Sequence, residues 1–371
     1  MKGIWKYSHL LPQVEESCKI TLGEGGTPLI KSRRIGPMLG IENLYFKLEM
    51  LNPSGSYKDR FAAVAVSDLL QKRMKFCLAT SSGNTGAALA AYCAAANIKC
   101  FLTVVDGAPT GKMKQMQVYG CETLMVRDFG KNANVTNEVM YQLTDLAKLQ
   151  KTDIQISAYK LSPVGMAGVQ TIAYEIAEEF PEHMTHVFSP AGGGGLTLAI
   201  LKGFNLWKDH NSGYRIPQVH CVQPEGNNTI AGPLRKKLHR AEEIAKSTTT
   251  ISGLQVPNVL DGDQVLEMCK AVNGNGYTVS DSSIYQCQEE LSKHEGVFCE
   301  PAGAVALAGL KQALNMNEIN KNDYIVCIVT GHGFKDPVST DKMIASAEDH
   351  YFNNSKDSIR YINSKINSNQ S

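Results

Sequence analysis

Residues 186–207 read HVFSPAGGGGLTLAILKGFNLW, and this stretch decides the fold class. The run His186 to Phe188 predicts a short strand, and the apolar segment Leu196 to Trp207 predicts a helix. Four consecutive glycines, Gly192 to Gly195, lie between them. Without Cβ atoms their backbone N–H groups can converge, and the helix N-terminus favours an anion. The segment therefore predicts a strand-to-helix loop that cradles a phosphate, with a flexible linker as the alternative.

The same alternation of short β-like runs and longer helical segments continues on both sides of this unit. It is the pattern of a mostly parallel sheet covered by helices, and it extends over enough chain for two lobes. The sequence therefore predicts an α/β fold with a cleft between two lobes. The predicted strands are Leu44–Leu48, Phe76–Ala79, Cys100–Val105, Thr123–Val126, His186–Phe188, Val219–Gln223 and Tyr324–Val329. The predicted helices are Phe61–Leu70, Ala87–Ala96, Gly168–Phe180 and Leu196–Trp207.

Length and composition describe a large globular chain. Its 371 residues are 43% hydrophobic and 20% charged, enough for a sizeable core and two domains. Lys and Arg total 37 against 36 Asp and Glu, so no overall field attracts nucleic acid or a membrane surface. No segment has the apolar length of a membrane helix or a signal peptide, which predicts a cytoplasmic protein. The ten cysteines lack metal-ligand spacing, so no metal site is expected and the thiols are interpreted as reduced core residues.

A lysine ends the turn-forming segment Asn52 to Arg60, which reads NPSGSYKDR. An apolar helix, Phe61 to Leu70, follows it. A lysine at this position lies near the positive end of the helix dipole, which together with burial lowers the pKa of its ammonium group. Because a neutral amine can attack an aldehyde, Lys58 is predicted to be a reactive amine. The alternative is a solvated lysine that caps a turn.

A second loop, Thr80 to Gly86, reads TSSGNTG and lies between the strand Phe76 to Ala79 and an alanine-rich helix. In open α/β sheets, ligands bind at such strand-to-helix loops. Hydroxyl groups, an amide and unpaired helix N–H groups suit a carboxylate. The loop therefore predicts a site for an amino-acid carboxylate, with a serine-rich helix cap as the alternative.

Two further residues follow or precede predicted elements. Thr330 begins the segment TGHGFKD after the strand Tyr324 to Val329. A threonine after a strand is usually structural, so a functional role for Thr330 is indicated only together with the other segments. Glu300 precedes Pro301, and proline suits a first helical turn. We therefore interpret Glu300 as a helix entrance and not as a catalytic carboxylate.

Taken together, these segments resemble the threonine synthase family of fold-type II pyridoxal-phosphate enzymes. Residues 5–7 (WKY), 10–12 (LLP) and 22–29 (LGEGGTPL) belong to the same resemblance, which covers nearly the whole chain. The resemblance implies two lobes, each a mostly parallel sheet covered by helices, with the active site in the cleft. It also implies a homodimer.

The domain organisation implied by the resemblance is discontinuous. Residues 1–45 and 161–352 form a large cofactor-binding lobe, and residues 46–160 form a smaller, mobile lobe. Residues 353–371 are rich in Asn, Ser and Lys and poor in large apolar groups. Such a segment cannot easily offset its ordering entropy, so a disordered tail is predicted.

By the same resemblance the cofactor is pyridoxal phosphate, which Lys58 holds as a Schiff base before acting as general base. Asn84 hydrogen-bonds the phenolic oxygen of the cofactor, and Thr330 faces its pyridine nitrogen. A hydroxyl there makes the ring a modest electron sink, which favours elimination and replacement over transamination. The residues implied for the cofactor phosphate are Gly192, Gly193, Gly194, Gly195 and Leu196, and those for the substrate are Ser81, Ser82 and Thr85. Arg60 is predicted to bind the substrate as a nearby cation.

One segment departs from the family pattern. Threonine synthases commonly carry Asn-Pro-x-Arg-x-x-Gly-Gln-Lys-Thr, whose arginine is associated with the substrate phosphate. Residues 162–171 here read SPVGMAGVQT, so Gly165 and Gln170 stand where Arg and Lys are expected. A phosphate that loses a charged partner binds more weakly unless another cation replaces it. The candidate replacements are Arg60, Lys112, Lys114, Lys131 and Lys160.

The leading hypothesis is a lyase that converts O-phosphohomoserine and water to threonine and phosphate. Because two expected cations are missing, a β-replacement synthase acting on O-phosphoserine, similar to cysteate or diaminopropionate synthases, is the first alternative. A serine or threonine dehydratase, which needs no phosphate site, is the second. A noncatalytic relative that binds a ligand is the remote alternative.

Overall fold

The computed structural model describes residues 3–81, 83–107, 110–130, 132–180 and 183–368. Within these ranges the strands fall into two sheets. The strands are β1 (Leu29–Lys31), β2 (Asn43–Leu48), β3 (Phe76–Thr80), β4 (Lys99–Val104), β5 (Glu122–Met125), β6 (Ile154–Gln155), β7 (His186–Pro190), β8 (Gln218–Pro224), β9 (Gly276–Val279) and β10 (Tyr324–Val329).

The larger sheet has six strands in the order β1-β2-β10-β7-β8-β9, and the smaller has four in the order β5-β4-β3-β6. Every pairing is parallel except β1 with β2. Parallel strands need crossover connections, and helices supply most of them. The predicted α/β class with two mostly parallel sheets is therefore confirmed.

Helices cover both sheets. The α-helices of the described residues are α1 (Ile35–Met38), α2 (Lys58–Gln71), α3 (Asn84–Ala95), α4 (Thr110–Val118), α5 (Ala133–Leu149), α6 (Pro163–Val169), α7 (Thr171–Glu179), α8 (Gly195–His210), α9 (Ala231–Arg235), α10 (Gly262–Ala271), α11 (Asp281–Glu295), α12 (Pro301–Asn315), α13 (Pro337–Met343) and α14 (Ser355–Ser368). Short 3₁₀ turns occupy Gly3–Tyr7, Glu16–Cys18, Glu49–Leu51, Glu225–Asn227 and Gly333–Lys335.

Helix packing positions the loops of interest at one edge of each sheet. Helix α3 packs on β3 and β4, and its small side chains let α2 pack closely against it. Helices α8 and α12 pack on the larger sheet. Because α2, α3 and α8 begin at Lys58, Asn84 and Gly195, each helix N-terminus carries a residue from a predicted site.

The chain divides into two compact units, Met1–Pro337 and Val338–Ser371. Both sheets belong to the first unit, so the two predicted lobes are joined in one compact body. Their boundaries at 46–160, and the mobility of the smaller lobe, remain predictions.

Helix α14 occupies most of the segment that the sequence predicts as a disordered tail, 353–371, and so corrects that prediction. Composition alone was misleading there. Ile359, Ile362 and Ile366 recur at helical spacing and give the helix an apolar face despite the low overall content of apolar groups. No helix among the described residues is both long enough and apolar enough to cross a membrane.

The ten cysteines are all free, and nine of them are buried. This agrees with their interpretation as reduced core residues. The Sγ atoms of Cys77, Cys93 and Cys100 lie within 4.8 Å of one another. Their sequence spacing gave no sign of this cluster, because they come from β3, α3 and β4.

Candidate active site

The lysine loop is fastened to the segment that follows β10. Ser56 and Gly331 form an isolated β-bridge. The backbone N–H of Tyr57 donates to the carbonyl of Thr330 (3.2 Å), and that of His332 donates to the carbonyl of Gly55 (3.0 Å). Two segments far apart in sequence, both singled out by their pattern, therefore lie side by side.

Lys58 begins helix α2 and is half-buried. Its Nζ donates a hydrogen bond to Ser157 Oγ at 2.6 Å and lies 4.5 Å from the centroid of the Tyr57 ring. Burial lowers the pKa of Lys58 to about 7, although the negative charges of Asp261 and Glu300 oppose the shift. The amine is therefore available in its neutral, nucleophilic form near neutral pH, as the sequence predicted.

Ser157 is a site residue that the sequence did not reveal. It follows β6, a strand of two residues that is too short to give a pattern. Its hydroxyl also lies 2.9 Å from Thr85 Oγ1, so it joins the predicted substrate loop to the reactive lysine. A Cβ atom on Gly195 would lie 3.0 Å from the carbonyl oxygen of Ser157, which places the glycine run on its other side.

The glycine run has the geometry of an anion cradle. Helix α8 begins at Gly195 without a side-chain cap, and Gly194 has φ = 94°, a left-handed conformation that glycine adopts readily. Carbonyl groups of the run are engaged elsewhere, since Gly192 accepts from Gln223 Nε2 (2.9 Å) and Gly193 accepts from the N–H of Asp261 (3.1 Å). The uncapped N–H groups at the start of α8 can therefore bind a phosphate.

Asn84 is held by a carboxylate. Its Nδ2 donates to Glu300 Oε1 at 2.6 Å, and Lys112 Nζ lies 3.3 Å from Glu300 Oε2. Glu300 precedes helix α12, as predicted, but its carboxylate also belongs to the site. The sequence missed this second role because the partners Asn84 and Lys112 come from other parts of the chain.

Two unsatisfied atoms test whether a cofactor fits. Among the described residues, the buried side-chain atoms without a hydrogen-bond partner in the structure include Asn84 Oδ1 and Thr330 Oγ1. Such atoms are rare in folded proteins and are expected where a ligand supplies the missing partner. Both belong to residues that the resemblance assigns to the pyridine ring, so the residues present fit pyridoxal phosphate.

The serine loop is partly engaged with itself. Ser81 Oγ accepts from the backbone N–H groups of Gly83 (3.2 Å) and Gly86 (3.1 Å), so it caps the start of α3. Thr85 is oriented towards Ser157. Ser82 lies outside the described residues. A substrate carboxylate at this loop stays a prediction.

The structure contradicts the predicted substrate contact of Arg60. Its side chain is fully buried, and its guanidinium donates to the carboxylates of Glu49 and Glu175, at 2.6–2.8 Å. Residues two positions apart on a helix are rotated by about 200° around its axis, so their side chains point in nearly opposite directions. Arg60 therefore faces the core while Lys58 faces the site.

The positions of the missing cations are closed by packing. A Cβ atom on Gly165 would lie 2.7 Å from Cε2 of Phe61 and 3.0 Å from Cβ of Ala65, so α2 leaves no space for an arginine. Gln170 donates to the hydroxyl of Tyr159 (2.9 Å) and accepts from Tyr174 (3.0 Å). Neither position supplies a charge to the site.

Buried lysines lie nearby. Lys112 is 3% exposed and donates to Ser252 Oγ at 3.0 Å as well as to Glu300. Lys335 donates to Gln115 Oε1 at 2.8 Å, and burial lowers its pKa to about 8. Of the other candidate cations, Lys114 and Lys160 are exposed and Lys131 lies outside the described residues.

Fold and site define a pyridoxal-phosphate enzyme, and comparisons with known proteins agree. A family sequence model described as "Pyridoxal-phosphate dependent enzyme" matches residues 20–331. The threonine synthase of Methanocaldococcus jannaschii is 32% identical over 90% of this chain and 81% of its own length. That of Methanosarcina acetivorans is 31% identical, over 90% and 80%. Threonine deaminase isoform 2 of Solanum lycopersicum superposes with a TM-score of 0.70 at 22% identity, over 86% of this chain and 83% of that one.

The chain therefore belongs to the threonine synthase family of pyridoxal-phosphate dependent enzymes. It is a lyase of fold type II, and pyridoxal phosphate is its cofactor.

Proposed function

We propose that this enzyme is a threonine synthase, which converts O-phosphohomoserine and water to threonine and phosphate. The observation that carries the proposal is the similarity to threonine synthases, at 31–32% identity over 90% of this chain. The Lys58 amine, whose pKa burial lowers to about 7 and which donates to Ser157 at 2.6 Å, supports the pyridoxal-phosphate chemistry that this reaction needs.

We infer the following cofactor contacts. Asn84 binds the ring oxygen, Thr330 faces the ring nitrogen, and the N–H groups of 192–196 bind the phosphate. Pyridoxal phosphate, when bound, supplies a sink for negative charge at the substrate Cα. Because Thr330 offers a hydroxyl and not a carboxylate, the ring nitrogen is not held protonated. The site is therefore suited to elimination and replacement more than to transamination.

Lys58 is the group that moves protons in this proposal. Once free, an amine with a pKa near 7 is largely neutral at physiological pH and can accept the proton on the substrate Cα. Ser157 orients the amine through its hydrogen bond to Nζ, and Thr85 orients Ser157 in turn. Hydrogen bonds therefore link Lys58, Ser157 and Thr85, and they hold the Lys58 amine in position to accept the proton.

The substrate phosphate needs a cation, and the candidates are two buried lysines near Glu300, both of which already bond to other side chains. Lys112 and Lys335 are 3% and 9% exposed. The two lysines are close enough to interact, because the charge of Lys112 lowers the pKa of Lys335 whereas the charge of Glu300 raises it. We infer that these ammonium groups take over from the cations absent at Gly165 and Gln170.

A second candidate is a serine or threonine dehydratase. The specific observation in its favour is the packing of Gly165 against Phe61, which excludes an arginine at the position associated with the phosphate. A dehydratase converts an unphosphorylated hydroxy-amino acid to a 2-oxo acid and ammonia: water leaves in the elimination, and one water is consumed when the resulting imine is hydrolysed. It therefore requires no such cation. A β-replacement synthase acting on O-phosphoserine would still require one.

Turnover of four amino acids by the cofactor-loaded enzyme decides between these functions. O-phosphohomoserine, O-phosphoserine, threonine and serine are supplied separately, and phosphate, ammonia and the product mass are measured. Phosphate together with threonine from O-phosphohomoserine is the expected result. Ammonia and an oxo-acid from threonine or serine alone would identify a dehydratase. Turnover of O-phosphoserine alone would point to β-replacement, and no turnover of any would revive a ligand-binding role.

We also infer a homodimer, by analogy with the family, and a cytoplasmic location, as the sequence predicts. Light scattering behind a size-exclusion column tests the assembly. A mass close to twice the 40.4 kDa of one chain is expected, and a monomer would contradict it.

The rate of cofactor attachment should depend on pH with a midpoint near 7. The amine of Lys58 must be neutral to attack the aldehyde, and its lowered pKa makes it neutral above about 7. The second-order rate constant for pyridoxal phosphate binding to cofactor-free protein should rise with pH and level off above about 8. Stopped-flow absorbance measures it, with Nα-acetyl-lysine as the free amine for comparison. A rate that still climbs at about pH 9, as for an ordinary lysine, would contradict the lowered pKa.

A further inference from the structure

A partly buried chain of polar contacts joins four segments of the protein at Asn84. Ser252 Oγ accepts from Lys112 Nζ at 3.0 Å, and Lys112 lies 3.3 Å from Glu300 Oε2. The other oxygen of Glu300 accepts from Asn84 Nδ2 at 2.6 Å. We propose that Glu300, paired with Lys112, is a positioning residue that fixes which end of the Asn84 amide faces the cofactor ring.

The chemistry of the two groups makes this contact directional. An ionised carboxylate can only accept hydrogen bonds, whereas an amide has one donating and one accepting end. The nitrogen of Asn84 must therefore face Glu300. Its Oδ1 is left on the other side, where it is buried without a partner among the described residues. A glutamine in place of Glu300 would remove this constraint, since either end of Asn84 could then bond to it.

The residue after Thr330 provides a second, steric observation. A Cβ atom on Gly331 would lie 2.2 Å from Glu300 Oε1 and 3.1 Å from Asn84 Nδ2. Only a residue without a side chain leaves room for the contact between the carboxylate and the amide. The backbone carbonyl of Gly331 also accepts from the N–H of Glu300 at 2.9 Å. The segment that carries Thr330 is thus shaped around the Glu300–Asn84 contact.

Stability alone does not account for this arrangement. The side chains of Lys112 and Glu300 are 2% and 3% exposed, so both charges are removed from water. Desolvation of such a pair often cancels its attraction, and apolar replacements are commonly as stable. The pair instead fixes the orientation of the Asn84 amide. Glu300 is also close enough to Lys58 for its charge to oppose the burial-induced lowering of the Lys58 pKa.

The test compares Glu300→Gln with the unmodified, cofactor-loaded enzyme. The visible absorption of pyridoxal phosphate bound to a lysine depends on whether its ring oxygen carries a proton, and hence on which end of Asn84 meets that oxygen. We expect the ratio of its two absorption bands to change at fixed pH, and the dissociation constant of the cofactor to rise about tenfold, as for the loss of one hydrogen bond. Both readouts are independent of the amino acid that the enzyme turns over.

Glu290→Gln is the matched control. Glu290 pairs with Lys311 between α11 and α12, away from the residues of the site, so its neutralisation should change neither readout. A folded Glu300→Gln enzyme with an unchanged spectrum and unchanged cofactor affinity would overturn the proposal, even if its melting temperature fell.

A second variant covers the case in which Glu300→Gln does not fold. Lys112→Gln keeps a donor for Ser252 and removes the charge that pairs with Glu300. A smaller change of the band ratio in the same direction is expected. An unchanged ratio in this variant would overturn the proposal equally. The inference rests on the cofactor contact proposed for Asn84 and not on the substrate, so loss of threonine synthase activity would leave it standing.

Discussion

Replacing Lys58 with alanine is expected to abolish covalent retention of pyridoxal phosphate and to lower kcat at least about a thousandfold. Among the described residues, Lys58 is the lysine that begins a helix at the centre of the site and contacts Ser157 at 2.6 Å. Its loss removes both the amine that binds the aldehyde and the proposed general base. Borohydride reduction followed by peptide mass spectrometry measures the first effect, and initial rates measure the second.

Lys114→Ala is the control for this experiment. Lys114 is exposed on helix α4, so its removal should leave cofactor retention and kcat within about twofold of the unmodified enzyme. Cofactor found on another lysine after reduction would refute the assignment. So would a Lys58→Ala enzyme that keeps turnover within about tenfold of the unmodified rate.

The long parallel strands could be predicted from the sequence because each is an apolar run followed by a loop with its own chemistry. Strands β1 and β6 were missed, since two or three residues give no periodic signal. Strand β9 was also missed, although β5, which likewise has four residues, was predicted. The segment 163–179 shows a different failure. A single helix from Gly168 to Phe180 was predicted, but two helices form, and the first begins at Pro163. Proline is favourable at a first helical turn, so Pro163 is the signal that could have placed the start of the first helix.

The same distinction applies to the site: some of its residues are recognisable from their own loop, and others only from contacts between remote segments. Lys58, Asn84 and Thr330 could be predicted because each follows a strand or begins a helix within a distinctive loop. Glu300 and Ser157 could not, since their roles arise only when remote segments meet. Nearness in sequence was also misleading, because Arg60 lies two residues from Lys58 and yet points into the core.

Arg60 leads to the largest expected effect on stability. Replacing it with methionine should lower the free energy of unfolding by about 3–5 kcal/mol, the usual cost of leaving buried charges without a partner. Glu49 is fully buried and Glu175 nearly so, and both carboxylates bond to the guanidinium. Burial alone would raise the pKa of Glu175, but Arg60 and Lys47 hold it at about 2. Without Arg60, Lys47 alone remains for Glu175, and Glu49 loses its charged partner.

Arg235→Met is the matched substitution for Arg60→Met. Arg235 pairs with Glu318 at 2.7 Å, but both side chains are about one-third exposed, so water can replace the lost contacts. A loss of about 0–1 kcal/mol is expected. Urea unfolding followed by tryptophan fluorescence compares the two variants. Equal urea midpoints for the two variants would show that the buried ion pairs of Arg60 with Glu49 and Glu175 stabilise the fold no more than an exposed pair does. A raised KM with unchanged kcat in a normally stable Arg60→Met enzyme would support the substrate contact that the structure contradicts.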